Sequence, residues 1–378
     1  MSSHDASTVT SWSGIPYHMA RAFAGNGVSL EYISPLRRTI NPVALGVGLL
    51  NRGLGRRYLF DLDPSVGRAY ARQISRRLAS LTVDAIVGVG AIPIAYLETE
   101  LPLVYWTDAT FDALCGYYPE FTGLSDANVR GGNAMEHAAL AHADTAYFSS
   151  AWAADSALNA YRAPPDKVRV LAFGANLSKE PDRCEVEALI SARPRQECRL
   201  FFLGVDWRRK GGDLALAVAS NLAAQGIPTR LAVVGPRRSD VPESDLIDYH
   251  GFIDKSTPSG EARIARLLGE SHFLCLPSHA ECNAIAFCEA AAYGVPTLSC
   301  RTGGIESAVR DNRNGYLFDE RSFIDSAAAA IVACMASYEA RYVPLAKASH
   351  EEFRSRLNWA TSTRILLDDV SRLVAARS

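Results

Sequence analysis

Residues Pro277–Pro296 read PSHAECNAIAFCEAAAYGVP, and the order is that of a buried strand running through a loop into a helix. The apolar run Phe273–Pro277 ends on its proline, the polar loop Ser278–Asn283 follows, and a helix begins near Ala284. Free amides and the positive dipole end of that helix, near Asn283, Ala284 and Ile285, suit an anion such as a diphosphate. Glu281 stands in the loop beside this position. Glu289, with seven residues between the two glutamates, is more than one turn into the helix, where a carboxylate can accept two hydrogen bonds from a diol. Taken alone, the pair fits a solvated helix face better than a site.

The same strand-then-helix grammar extends in both directions, as parallel βαβ units require. Expected strands in the first half are Val28–Ser34, Asp84–Val89, Leu103–Thr107, Thr145–Ser149 and Val168–Phe173. In the second half they are Leu200–Gly204, Arg230–Gly235, Ile247–Phe252, Phe273–Pro277 and Thr297–Cys300, with helices over Asp213–Gln225 and Glu261–Gly269. This predicts an α/β protein of two doubly wound, Rossmann-like domains in tandem. Gly174–Arg199 is polar, contains Pro181 and Pro194 and lacks a sustained period, which marks it as the linker. Ligands of open α/β sheets bind at the carboxyl ends of strands, so the two domains are expected to face a central cleft and the chemistry to lie on loops after strands.

Composition sets the outer bounds. A chain of 378 residues, 48% apolar and 21% charged, is long enough for two globular domains and excludes a small disulfide scaffold. With 39 Lys plus Arg against 41 Asp plus Glu, the net charge of −2 argues against a nucleic-acid binder. The eight cysteines form no metal-ligand spacing and read as free thiols, and His137 and His142 read as solvated or core residues rather than ligands. No apolar signal core or membrane-length run is visible, so a cytoplasmic location is expected. Charge is uneven, however: residues 1–80 hold ten Arg and no Lys against four acids. Arg68, Arg72 and Arg76 form one basic helical stripe. A solvated face is its default reading; near the apolar segment Val43–Leu50 it would also suit peripheral contact with the anionic inner face of a membrane.

Upstream of the quoted stretch, LFFLGVDWRRKGGDLAL places Arg208-Arg209-Lys210 just beyond a strand, where consecutive cations are either solvated or paired with an anion such as phosphate. Downstream, Gly303-Gly304 either forms a simple turn or lets the backbone approach a ligand. The full order is Gly204 with Lys210-Gly211, Val233-Val234-Gly235, Gly251-Phe252, Pro277-Ser278 with Glu281 and Glu289-Ala290, Gly294-Val295-Pro296, Gly303-Gly304 and Asn314-Gly315. Over roughly residues 199–319 this order and spacing resemble family 4 of the retaining, nucleotide-sugar-dependent glycosyltransferases of the GT-B fold.

The resemblance implies roles residue by residue. Lys210, helped by Arg209, would neutralise the donor diphosphate as the sugar bond breaks. Glu281 would hold hydroxyls of the donor sugar, Glu289 the ribose, and the backbone at Phe252 and Ile253 would frame the base, although Phe252 also fits a core position. Relatives often carry Arg directly after the first glycine; here Val205 stands there, so Arg208 or Arg209 has to supply that charge. In the first half, SWSGIPYHMARAF resembles the family's glycine loop and following helix, which puts Gly14 near the donor phosphates. The strand expected before it is not visible in the polar residues 1–10. Asp108, after the apolar run LPLVYWT, occupies the place of a histidine found in many relatives. It is either a group facing the cleft or an exposed loop aspartate.

By this resemblance residues 1–175 form an acceptor-binding domain and residues 176–354 a nucleotide-sugar-binding domain, with a last helix over about 355–378 packing back on the first. The expected activity is retaining transfer of a hexose from a UDP-, GDP- or ADP-sugar to a hydroxyl of a carbohydrate, lipid-linked or small-molecule acceptor, in polysaccharide, glycolipid or glycoconjugate synthesis. The alternatives are a donor-binding or scaffolding subunit without turnover, or a nucleotide-sugar epimerase on the same fold. Cations and helix ends replace a metal in this fold, so neither a metal nor a further cofactor is expected.

Overall fold

The computed structural model describes Met1 to Arg377 apart from Ala284. The chain divides into two compact units: Met1–Ala172 together with the chain from Ser362 onward, and Phe173–Thr361.

In the first unit, α1 (Ile15–Gly25), α2 (Pro42–Gly53) and α3 (Pro64–Leu78) precede β1 (Ile86–Val89) and β2 (Leu103–Thr107). Then come α4 (Phe111–Leu114), α5 (Asp126–His142), β3 (Thr145–Phe148), α6 (Ala151–Asn159) and β4 (Val168–Val170). The four strands form one parallel sheet in chain order. β2 and β3 are buried along their whole length, as strands covered on both faces must be. Side-chain caps from Asp63, Thr110, Ser125 and Ser150 start α3, α4, α5 and α6. The core gathers Val66, Ile74, Ile94, Tyr105, Met135 and Phe148.

Val28–Ser34, expected as a strand, has no regular structure. The sheet position beside β1 that would pair with it is held only by Met1 and Ser2. The Met1 ammonium donates to the Val87 carbonyl at 2.6 Å, the Val89 N–H donates to Met1 at 2.9 Å, and the Ser2 N–H donates to Ile33 at 3.3 Å. Two residues give a single bridge, Ser2 to Val89, and a segment without a continuous neighbour cannot build a ladder.

The second unit runs α7 (Arg183–Ala192), β5 (Cys198–Leu203), α8 (Gly212–Ala224), β6 (Thr229–Val234), β7 (Ile247–Gly251), α9 (Pro258–Glu270) and β8 (Phe273–Cys275). It continues through α10 (Ile285–Ala292), β9 (Thr297–Cys300), α11 (Ile305–Ala308), β10 (Gly315–Phe318), α12 (Phe323–Ala336) and α13 (Val343–Arg356). The six strands are parallel in the order β10-β9-β8-β5-β6-β7, so the chain reverses direction across the sheet between β5 and β8. Phe201, Phe202, Leu222, Phe273, Phe287 and Ile331 fill the interior. Part of the expected linker is ordered after all: α7 starts with a reciprocal capping box between Asp182 and Glu185 and buries Val186 and Ile190. β10 was not anticipated either. A last helix, α14 (Trp359–Arg377), begins in the second unit and from Ser362 belongs to the first.

Among the described residues no single helix is long and apolar enough to cross a membrane. All eight cysteines are free; six are buried, with Cys115 and Cys184 exposed. Burial pushes the Cys288 and Cys300 thiols up to about 12, which leaves neither as a nucleophile at neutral pH.

Candidate active site

In a doubly wound sheet the loops beyond β5 and β8 diverge at the point where strand order reverses, which opens a crevice at the strands' carboxyl ends. Both loops carry the sequence's charged motifs. Leu200 pairs with Phe273 and Phe201 with Leu274, so the loop after Leu203 and the loop after Cys275 leave the sheet side by side.

Their close approach depends on Gly211. It caps α8 in the left-handed conformation, φ +73°, and a Cβ there would lie 2.1 Å from the Pro277 carbonyl oxygen. The His279 N–H donates to the Arg209 carbonyl at 2.9 Å and joins the two loops. The loop after β9 is attached as well, through the Gly304 N–H to the Glu281 carbonyl at 3.0 Å and the Thr302 hydroxyl to the His279 carbonyl at 3.3 Å. Three loops are thereby tied into one rim.

On this rim Lys210 Nζ donates to Glu281 Oε2 in a short ion pair. Arg209 Nη1 lies 3.6 Å from the same oxygen and donates to the Ala280 carbonyl at 2.9 Å. Glu281 is only 4% exposed. Arg208 is exposed, so Arg209 is the second cation facing Glu281, and Val205, 63% exposed, contributes none.

Below the rim, Glu289 is fully buried in the second turn of α10, and its Oε1 accepts from Lys255 Nζ at 2.5 Å. Its other oxygen, Oε2, has no hydrogen-bond partner among the described residues; neither do Ser278 Oγ and Asn283 Oδ1. Buried polar atoms in folded proteins are almost always satisfied, so three orphans within residues 278–289 make this segment a candidate for binding a polar ligand. Ile285 opens α10 at 8% exposure, whereas Ala284 lies outside the described residues. Phe252 is 72% exposed just beyond β7, which removes the core reading, while Ile253 next to it is buried.

The structure therefore brings Arg209, Lys210 and Glu281 into contact, with Asn283, Ile285 and Glu289 on the adjoining β8–α10 segment. Gly14 and Asp108 belong to the first unit. Gly14 is the buried left-handed cap of α1 at φ +80°, preceded by Trp12 and Ser13, both with positive φ. Asp108 follows β2 and is half-buried. His137 and His142 are exposed on α5. Among the described residues no group of three or more His, Cys, Asp or Glu could hold a metal ion.

Sequence reasoning missed Lys255, and it quoted Ser278 within the Pro277-Ser278 motif without giving it a role. Lys255 is a lone cation two residues beyond Ile253, with no motif around it; only the packing of the β7 loop on α10 connects it to Glu289.

Residues 190–348 match the family model described as glycosyl transferases group 1. The D-inositol 3-phosphate glycosyltransferase of Rhodococcus opacus is 28% identical over 196 residues, which are 49% of this chain and 44% of that protein. The matched region thus spans less than half the length of that curated relative. Sucrose-phosphate synthase from Thermosynechococcus elongatus has a similar structure, with a TM-score of 0.65 at 18% identity over 95% of this chain and 92% of that one. The Anabaena protein HepE, solved in complex with UDP-glucose, gives a TM-score of 0.55 at 16% identity over 80% of this chain and 82% of its own. The fold is the GT-B α/β fold, with two parallel sheets flanked by helices.

Proposed function

We propose that this chain is a retaining glycosyltransferase of family 4, which moves a hexose from a nucleotide-diphosphate sugar to an acceptor hydroxyl. The group 1 match over residues 190–348 and the likeness to a UDP-glucose-binding GT-B protein support it. The observation that carries the reading is the cluster itself: a Lys–Arg pair on a buried glutamate, set at the sheet's reversal point, with three orphaned polar atoms within residues 278–289.

Each residue then has a task. Lys210 and Arg209 hold the diphosphate and neutralise the charge that grows on it as the sugar leaves, an electrostatic contribution that acts only as the bond breaks. Backbone amides at Asn283 and Ile285 contribute the helix-end component. Glu281, no longer occupied with Lys210 alone, accepts hydrogen bonds from sugar hydroxyls and orients the anomeric carbon. Glu289 Oε2 accepts from a ribose hydroxyl, while Lys255 holds the other oxygen of the same carboxylate in place. Phe252 and Ile253 border the base. With retention of configuration, the departing phosphate itself can take the acceptor proton.

The test is a thermal-shift screen against UDP, GDP, ADP and their sugar conjugates, followed by proton NMR of the product's anomeric signal. A ligand that binds only the folded protein raises its melting temperature, so one nucleotide is expected to stand out. Absence of any shift, or an inverted anomeric signal, would refute the reading.

A further inference from the structure

Surface helices ordinarily bury their large apolar residues and turn polar ones to water. α2 does the opposite. Its inward positions are small: Ala44 and Gly48 are buried, and a Cβ on Gly48 would meet the Phe60 ring at 2.9 Å. Its outward side carries Val43, Leu45, Leu49 and Leu50, with Leu54 just beyond, each between 49% and 76% exposed. These five are half of the ten exposed large hydrophobic residues among the described residues, so apolar exposure is concentrated on one short element.

Along the segment that carries α2 the charged residues have a single sign. Between residues 32 and 60 there are five arginines, at 37, 38, 52, 56 and 57, and no Asp, Glu or Lys. Arg38 reaches Asp61 at 3.1 Å and Arg56 reaches Asp126 at 2.8 Å, and Arg57 donates to the Pro119 carbonyl. Arg37 and Arg52 are exposed and enter no ion pair among the described residues. Twelve residues of helix measure about 18 Å, too short to cross a bilayer but suited to lying in its interface.

We propose that α2 is an interfacial helix that seats on an anionic lipid bilayer, with Val43, Leu45, Leu49, Leu50 and Leu54 at the top of the acyl chains and Arg37 and Arg52 on headgroup phosphates. Charge selects this occupant over a second copy of the chain, because a second copy would set arginines against arginines, while an anionic membrane offers the complement. None of these residues belongs to the site described above, and the inference stands independently of the proposed reaction.

The experiment is co-sedimentation of the full chain with vesicles of phosphatidylcholine alone and of phosphatidylcholine mixed with phosphatidylglycerol, with light scattering in the absence of lipid. Binding is expected to the mixed vesicles only, and to weaken as salt is raised. The pair Leu49→Glu with Leu50→Glu is expected to lower the partition coefficient at least ~10-fold, and Arg37→Glu with Arg52→Glu also by roughly 10-fold or more. Both variants should keep the parental melting temperature, since all four side chains face solvent. Absence of sedimentation with mixed vesicles, equal binding to neutral ones, or a lipid-free dimer that Leu49→Glu dissociates would each overturn the proposal.

Discussion

Lys210 and Glu281 form an ion pair with Arg209 3.6 Å from the same carboxylate oxygen, and that makes their removal informative in a particular way. Taking away either breaks an ion pair at a buried position, so activity and stability fall together. Lys210→Ala and Glu281→Ala are each expected to cut kcat/KM for sugar transfer at least ~100-fold, and the double variant to be little worse than the poorer single one, as expected of coupled groups. Initial rates of nucleotide release measure both. Glu289→Gln separates ribose from phosphate: calorimetry should show affinity for the preferred nucleoside diphosphate reduced about tenfold, with inorganic pyrophosphate bound as before. Much of this was legible in the sequence, because Lys210-Gly211 and the Glu281/Glu289 spacing are local patterns imposed by one loop and one helix. What was not legible depends on tertiary approach. Arg208 and Arg209 are adjacent in sequence, and only the fold turns Arg209 to Glu281. Lys255 is 34 residues from the glutamate it holds.

Glu136 shows what a single helix can impose on its unit. On α5 its carboxyl accepts from the Phe111 N–H at 3.1 Å and meets the Tyr105 hydroxyl at 3.2 Å, and burial pushes it up to about 7. A carboxyl whose folded value lies above its unfolded 4.5 contributes stability that is present below pH 4.5 and lost as pH rises toward 7. The span corresponds to roughly 3 kcal/mol. Glu136→Gln, which retains an acceptor for Phe111 and offers a donor to Tyr105, is expected to flatten this part of the stability–pH curve in urea melts at fixed pH values. At this scale the sequence was readable wherever a strand has two neighbours: Leu103–Thr107 and Thr297–Cys300 lie where their β-branched and aromatic runs place them. It misled at Val28–Ser34, which has strand composition but no ladder partner. It also under-read α7, whose Asp182–Glu185 box is a start signal that a search for apolar periodicity passes over.

For the whole molecule, the chain passes between its units twice, at residue 172 and at residue 361, and the second passage returns a helix to the first unit. Within that unit Tyr147 donates to Asp369 at 2.6 Å, the Ser362 hydroxyl donates to Ala172 at 2.8 Å, Arg377 pairs with Asp144 at 2.6 Å, and Leu366 is fully buried. A chain ending at Thr361 forfeits all of these. Loss of one buried leucine alone costs ~2–5 kcal/mol, a large share of a typical domain's stability. Hydrogen exchange on such a chain should show protection lost across β1–β4 and retained across β5–β10. The connection also sets a timetable during synthesis. Ribosomes release the amino-terminal part of a protein first, and domains ordinarily fold in that order. Here the second unit is one continuous stretch that can close as soon as it emerges, while the first, begun earlier, waits for residues 362–377. Of the two units, the one begun earlier is finished later, and its open sheet must be kept from other nascent chains in the meantime.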